Sequence, residues 1–340
     1  MSNIYHYNHP FTTEGGYTFP SLDIAYDTFG TLSPNRDNVI WVCHALTANS
    51  DVADWWPHTV EQGCFLDPDK YFTVCANFLG SHYGTTGPLS INPATGERWY
   101  GDFPLITVRD MVRVHQLLAE YLGIERVKLL IGSSIGGFQC LEWAVMQPDF
   151  ACKAAFIATT PRTQPWASGF NESQRMAIES DPTFGQHNEQ AGANGMAVAR
   201  SIALLSYRGG VAYNLSQEDS EPNEASFNRR VLSYQRYQGE KLRRRFNAYS
   251  YYRLSQAVDS HNLGRGRGAV ADVLKNIKAK SLVVAITSDI LFPPADHQIM
   301  VENIPDVTYR TIDSVFGHDG FLVEHKLLNE IILDFINDER

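Results

Sequence analysis

Short apolar runs alternate with stretches of helical period along the first part of the chain. Leu22, Ile24 and Tyr26 alternate with polar or small neighbours, the period-two pattern of a strand near a sheet edge. Residues 38–46 (NVIWVCHAL) and 71–78 (YFTVCANF) are continuous apolar runs, which suit central strands buried on both faces. Over 108–122, Met111, Val114, Leu117, Leu118 and Leu122 recur at helical spacing, and Gly123 follows as a stop. The pattern then predicts a strand at 127–132 (VKLLIG), a helix at 136–146 and a strand at 154–158. Strands alternating with helices imply a mostly parallel sheet with right-handed crossovers, an α/β fold.

After Thr160 this rhythm changes. From about 161 to 268 the pattern is helical and polar-aromatic, clearest over 195–207 and 229–257. Alternation then resumes, with a helix at 270–277, a strand at 281–286 (SLVVAI), a helix at 296–303, a strand at 307–312 and a closing helix at 321–336. The expected organisation is a core made of 1–160 and 269–340, interrupted by a helical insertion at 161–268. An insertion at this point is expected to form a lid over the strand C-termini, where ligands bind in such sheets.

Composition narrows the partners. The 340 residues are 44% hydrophobic and 19% charged, an ordinary globular balance. A net charge of -10 gives no global attraction for nucleic acid or an anionic membrane. The basic runs Arg243-Arg244-Arg245 and Arg265-Gly266-Arg267 read as a solvated helix face and a charged loop, with a local anion site as the alternative. Five cysteines with no C-x-x-C suit a reducing compartment without a disulfide framework or zinc site. No metal-ligand cluster or phosphate-binding glycine motif stands out. The N-terminus lacks the basic and apolar regions of a signal peptide, and no apolar stretch reaches the ~18 residues of a membrane span. The expectation is a cytoplasmic protein.

The sharpest chemical feature is Gly132-Ser133-Ser134-Ile135-Gly136-Gly137, a G-x-S-x-G pattern entered by an apolar strand and left by a helix. That is the context of a nucleophile elbow on an α/β-hydrolase fold. Only Ser134 has glycines at both -2 and +2, which selects it over Ser133. The N–H of Ile135, at the helix start, would face a developing oxyanion. A serine hydroxyl needs a base, and the base an orienting carboxylate, in the chain order Ser, Asp, His for this fold. Asp289 follows the strand SLVVAI, and His318 lies between the last strand and the last helix. The loop after NVIWVC offers the N–H of Leu46 as a second oxyanion donor. His44 precedes the serine, the wrong order for the base, and reads as structural.

Longer blocks resemble the homoserine O-acetyltransferase family over nearly the whole chain. They are CHALT, NFLGSHYGTTGPLSINPATGERWYGDFPLITVRDMVRVH, IGSSIGGFQCLEWA, MAVARSIALLSYRG, SYQRYQGEKLRRRFNAYSYYRLSQAVD, SDILFPP and GHDGFL. The resemblance implies that acetyl-CoA, a co-substrate and not a resident cofactor, acylates Ser134. L-Homoserine then takes the acetyl group, in a ping-pong reaction of methionine biosynthesis. It also implies that a lid arginine, Arg200 with Arg208 in reserve, binds the homoserine carboxylate. Asp319 would lie near the amine, Tyr207 on the same lid helix would line the site, and the lid helices would form a homodimer. The chain departs from the family's usual wording at His82, at Thr47-Ala48-Asn49 and at Phe246-Asn247-Ala248-Tyr249-Ser250-Tyr251. Alternatives with the same triad are homoserine O-succinyltransferase, acylation of serine, and a serine hydrolase or esterase. A non-catalytic binding protein would be expected to lack a triad member.

Overall fold

The computed structural model describes residues 2–221 and 227–338. Its strands are β1 (Asn3–Tyr7), β2 (Phe11–Thr12), β3 (Thr18–Phe19), β4 (Leu22–Phe29), β5 (Val39–Cys43), β6 (Phe72–Ala76), β7 (Val127–Ser133), β8 (Ala151–Ile157), β9 (Lys280–Ile286) and β10 (Val307–Ile312). Eight of them form one sheet in the order β1-β4-β6-β5-β7-β8-β9-β10. The six from β6 to β10 in that order run parallel, while β4 pairs antiparallel with both β1 and β6. The period-two strand at Leu22 is therefore next to the edge, and the two continuous apolar runs lie inside the sheet.

The helices are α1 (Val52–Trp55), α2 (Val108–Tyr121), α3 (Ile135–Met146), α4 (Pro165–Glu179), α5 (Ala193–Tyr207), α6 (Gly210–Gln217), α7 (Arg230–Arg243), α8 (Ala248–Asp259), α9 (Val270–Leu274), α10 (Pro294–Asn303), α11 (Gly320–Val323) and α12 (His325–Asn337). Alternate residues of the central strands feed two cores. Trp41, Leu130 and Val283 pack with Val112 of α2, Leu141 of α3 and Met300 of α10. Val42, Ile131 and Val284 pack on the other face with Val52, Trp56 and with Leu328, Ile332 and Phe335 of α12. Among the described residues no helix is long and apolar enough to cross a membrane.

Local chemistry sets the element ends. Thr107 caps α2 by a reciprocal bond with Asp110, and Gly123, at φ 64°, takes the left-handed turn that ends it. The sequence pattern reads 229–257 as one helical piece, but the structure breaks it into α7 and α8. Asn247 accepts the Ser250 N–H at 2.8 Å and starts the second helix anew. The closing helix likewise divides at Glu324 into α11 and α12.

Helices α4 to α8 occupy the chain between β8 and α9, and residues 222–226 of this stretch lie outside the described ones. The chain leaves and re-enters the sheet region through one short antiparallel bridge. Thr163 N–H donates to His261 O, Leu263 N–H to Pro161 O, and Arg162 pairs with Asn262. The run read as a charged loop serves this junction. Arg265 pairs with Glu14, and Arg267 and Arg109 both hold the buried Glu142.

Helix α3 sits tightly on the sheet. A Cβ on Gly132 would lie 2.4 Å from the Gly136 backbone, and one on Gly136 would lie 2.0 Å from the Cys43 carbonyl oxygen. Neither gap admits a methyl group. Gly136→Ala must push α3 off β5, and overpacking of this kind costs about 1–3 kcal/mol or more. Urea unfolding should show a clearly lowered midpoint. A midpoint equal to that of the parent would contradict the packing described.

Candidate active site

Strand β7 delivers Ser134 to the C-terminal edge of the sheet. There the serine adopts φ 55° and ψ -126° at the start of α3, a conformation that L-residues rarely take. Its N–H donates to Ile157 O at 3.0 Å, and its carbonyl accepts the Thr159 hydroxyl at 2.9 Å. The main chain is pinned on both sides, and the Ser134 side chain faces a cavity of about 390 Å³. The adjacent Ser133 is fully buried in β7 and does not line it.

His318 lines the same cavity. It sits in a single 3₁₀ turn, Gly317–Asp319, after β10. Its Nδ1–H donates to Asp289 Oδ2 at 2.7 Å, which leaves Nε2 for the serine side. Asp289 is fixed in turn, because its Oδ1 accepts the N–H groups of Leu291 (2.8 Å) and Phe292 (3.0 Å). Burial opposes a charge on the imidazole, but the Asp289 charge and hydrogen bond, with Asp319 beside it, raise the His318 pKa above its ordinary value.

Leu46 and Ile135 share pockets with Ser134. Leu46 lines the large cavity, and Ile135 lines a smaller pocket that opens beside the serine. Among the described residues neither N–H donates to a protein acceptor. His44, just before this loop, is stacked on Phe78 with ring centroids 4.2 Å apart, and its Nδ1–H donates to Ala45 O. Burial depresses its pKa to about 4, so it is a neutral structural group, as its place in the chain suggests.

The helical insertion supplies the opposite wall. Arg200 and Tyr207 of α5 line the cavity together with Asp319. Arg208, the reserve candidate, does not; its Nε–H donates to Asp319 Oδ2 at 3.2 Å. Among the described residues Arg200 has no carboxylate partner, and its guanidinium lies 5.5 Å from the centre of the Tyr207 ring. Burial raises the Asp319 pKa, while Arg200, Arg208 and His318 act against that rise. The contact that brings α5 here is backbone on backbone. A Cβ on Gly209 would lie 2.0 Å from Val315 O, and one on Gly317 would lie 2.4 Å from Gly209 N.

Several neighbours were not singled out by the sequence reading. Lys241 and Arg245 line the cavity. Arg245 Nη1 donates to Thr47 O (2.5 Å) and Tyr83 Oη (2.7 Å), strapping the insertion to the loop that carries Leu46. The basic run is largely a solvated face: Arg243 and Arg244 pair with Glu240, and Arg245, itself exposed, reaches Thr47 and Tyr83 at the cavity rim. Two of the departures from the family wording touch each other, since Asn247 Nδ2 lies 2.9 Å from His82 Nδ1. Thr159 carries no motif; its position two residues beyond a strand end is its only sequence signal. Among the described residues no cluster of His, Cys, Asp and Glu is placed to hold a metal ion.

Comparison with known proteins matches this arrangement to a family. Residues 38–324 match the model of the alpha/beta hydrolase fold. The homoserine O-acetyltransferase of Cyclobacterium marinum is 44% identical over 332 residues, covering 98% of this chain and 94% of that protein. That of Chloroherpeton thalassium is also 44% identical, covering 96% and 86%. The crystal structure of homoserine O-acetyltransferase from Bacillus anthracis superposes with a TM-score of 0.91 at 25% identity, over 99% of this chain and 97% of that one. The identity spans both the sheet and the helical insertion, so the chain belongs to the homoserine O-acetyltransferase family on the α/β-hydrolase fold.

Proposed function

We propose that this enzyme transfers an acetyl group from acetyl-CoA to the side-chain hydroxyl of L-homoserine through an acyl-Ser134 intermediate. The observation that carries the reading is Arg200: a guanidinium without a carboxylate partner, in the cavity that Ser134 and His318 share. A bidentate arginine suits the carboxylate of a small amino acid. In the first half-reaction His318 Nε2 takes the Ser134 proton and Oγ attacks the thioester carbonyl carbon. The Leu46 and Ile135 N–H groups receive the oxyanion, the C–S bond breaks, and the thiol leaves with the proton from His318. In the second, His318 takes the homoserine hydroxyl proton, the alkoxide attacks the acyl carbon, and Oγ leaves with that proton. Asp319, in the same cavity, meets the substrate amine in this reading, and Tyr207 forms the wall beside His318, their rings 5.8 Å apart.

The helices α4 to α8 act as the lid in this reading, and α5 and α7 are the surfaces of a homodimer. Val198, Leu205, Leu232 and Tyr237 are large apolar side chains left exposed on those two helices, which supports such an interface. The product feeds methionine synthesis, as the family resemblance implies. Lys241 and Arg245, at the same cavity, offer charge to the phosphates of the donor.

Replacing Ser134 by alanine should abolish the acyl-enzyme and lower kcat by at least about 10⁴-fold. Intact-protein mass after mixing with acetyl-CoA is the direct measurement; an acetylated Ser134→Ala protein would rule out this nucleophile. Arg200→Ala should lose about 30- to several-thousand-fold in kcat/KM for homoserine, while acetylation of Ser134 is nearly spared. Equal damage to both half-reactions would withdraw the carboxylate role.

The base must be neutral to accept a proton, so acetylation should fall as pH drops through the His318 pKa, which lies above its ordinary value. Asp319→Asn removes one of the charges that raise it, and so moves the acid limb of the acetylation rate to lower pH. A limb that stays in place, or moves upward, would exclude this coupling.

A further inference from the structure

Ser134 opens on two spaces of different character. The larger holds His318, Asp319, Arg200, Lys241 and Arg245, and is polar and charged. The smaller, about 30 Å³, is walled by Ile135, Phe138, Ala167, Val258, Leu291 and Phe292. Its one polar wall residue besides Ser134 and Tyr207 is Asn171, whose Nδ2 donates to Asp259 at 2.7 Å. No charged side chain lines it. Leu46 and Tyr207 stand at the junction and line both.

We infer that the small pocket seats the hydrocarbon end of the acyl group and sets its length, with Ala167 and Val258 as the specificity-determining residues. This rests on the reading that Ser134 is acylated. The acyl carbon on Oγ carries three further groups in the tetrahedral state. Its oxygen points to the Leu46 and Ile135 N–H groups. The thiol that leaves and the hydroxyl that enters must each meet His318, which lines only the larger cavity. Leu46 and Ile135 border the small pocket where it meets Ser134, so the oxygen sits at its mouth and the remaining substituent points on toward Phe138, Ala167, Val258 and Phe292.

The size and chemistry of that pocket then select the donor. About 30 Å³ is a small space, with room for one or two groups the size of a water molecule. The methyl of an acetyl group enters it readily. A propionyl group brings one methylene more against the same apolar walls. A succinyl group would bring a carboxylate against phenylalanine, leucine and valine with no cation facing it, and an unpaired buried charge is strongly disfavoured. Ala167, 1% exposed in the first turn of α4, is the small residue in the wall, and Val258 of α8 stands in the same wall. Both come from the insertion, so donor length is set there and not by the sheet.

The test uses the full-length enzyme without acceptor, mixed with acetyl-, propionyl- or succinyl-CoA. Thiol release and intact mass report acylation. The parent should favour acetyl over propionyl by about ten- to two-hundred-fold, the worth of one misfitting methylene, and show no succinylation. Val258→Ala should raise the propionyl-to-acetyl ratio at least tenfold. Ala167→Val should slow acetylation at least tenfold in a protein whose thermal unfolding confirms its fold; should it not fold, Val258→Ala decides alone. Succinylation as fast as acetylation, or an unchanged ratio in Val258→Ala, overturns the assignment. If no thioester reacts, p-nitrophenyl acetate and butyrate serve as donors. A preference for acetate then retains the pocket and refutes the CoA reading, while equal rates refute the pocket.

Discussion

The backbone of Ser134 is the constraint on which the site depends. A non-glycine residue at φ 55° and ψ -126° costs on the order of 1–3 kcal/mol, and it persists only where the surroundings over-determine it. Here they do so from three directions. Ile157 of β8 takes the N–H, the Thr159 hydroxyl holds the carbonyl, and the close seat of Gly136 on Cys43 prevents α3 from relaxing outward. The result is a half-buried serine that lines the cavity at the start of a helix, beside an N–H that has no protein acceptor. A softer turn would have buried the side chain, as it is buried at Ser133 one residue earlier.

Around that fixed point the charges are arranged in two tiers. Behind the imidazole, Asp289 is immobilised by two backbone N–H groups and by His318 itself, which fixes which ring nitrogen carries the proton. In front of it, Asp319 is shared between Arg208 and the cavity. Arg208 is taken up by Asp319, while Arg200 has no carboxylate partner among the described residues. The insertion therefore brings arginine to the cavity, and the segments that follow the sheet strands bring Ser134 and the His318–Asp289 pair. Neither half of the molecule holds both.

Much of this was legible in the sequence because the decisive residues follow periodic segments. Ser134 and Asp289 each end or follow an apolar strand, His318 follows the mixed edge strand β10, and strand ends on one edge of a parallel sheet share a rim. The glycines of the elbow are visible because only close approach explains them. Arg200 needed the family resemblance, since nothing in helical periodicity separates it from Arg208 eight residues later. The break between α7 and α8 was masked by unbroken helical composition from 229 to 257; Asn247 with Ser250 three residues on was its local signal. Thr159, Arg245 and Tyr83 act through contacts between distant segments, and such contacts leave no pattern in a single chain. The same holds for β1, which covers a sheet edge, and for the separate two-stranded pair β2 and β3.

The meeting of Gly209 with Gly317 has an evolutionary consequence. Two peptide backbones touch where side chains would normally intervene, so the end of α5 and the turn bearing His318 have to change together or not at all. Loops on this fold are free to diversify when they merely overhang the sheet. This insertion is not such an appendage, because its inner helix is soldered to the base. Recombination that exchanged the insertion for one of another lineage would misplace the histidine unless the turn travelled with it. Divergence within such enzymes is thereby steered toward single side chains lining the walls, and away from wholesale replacement of the cap.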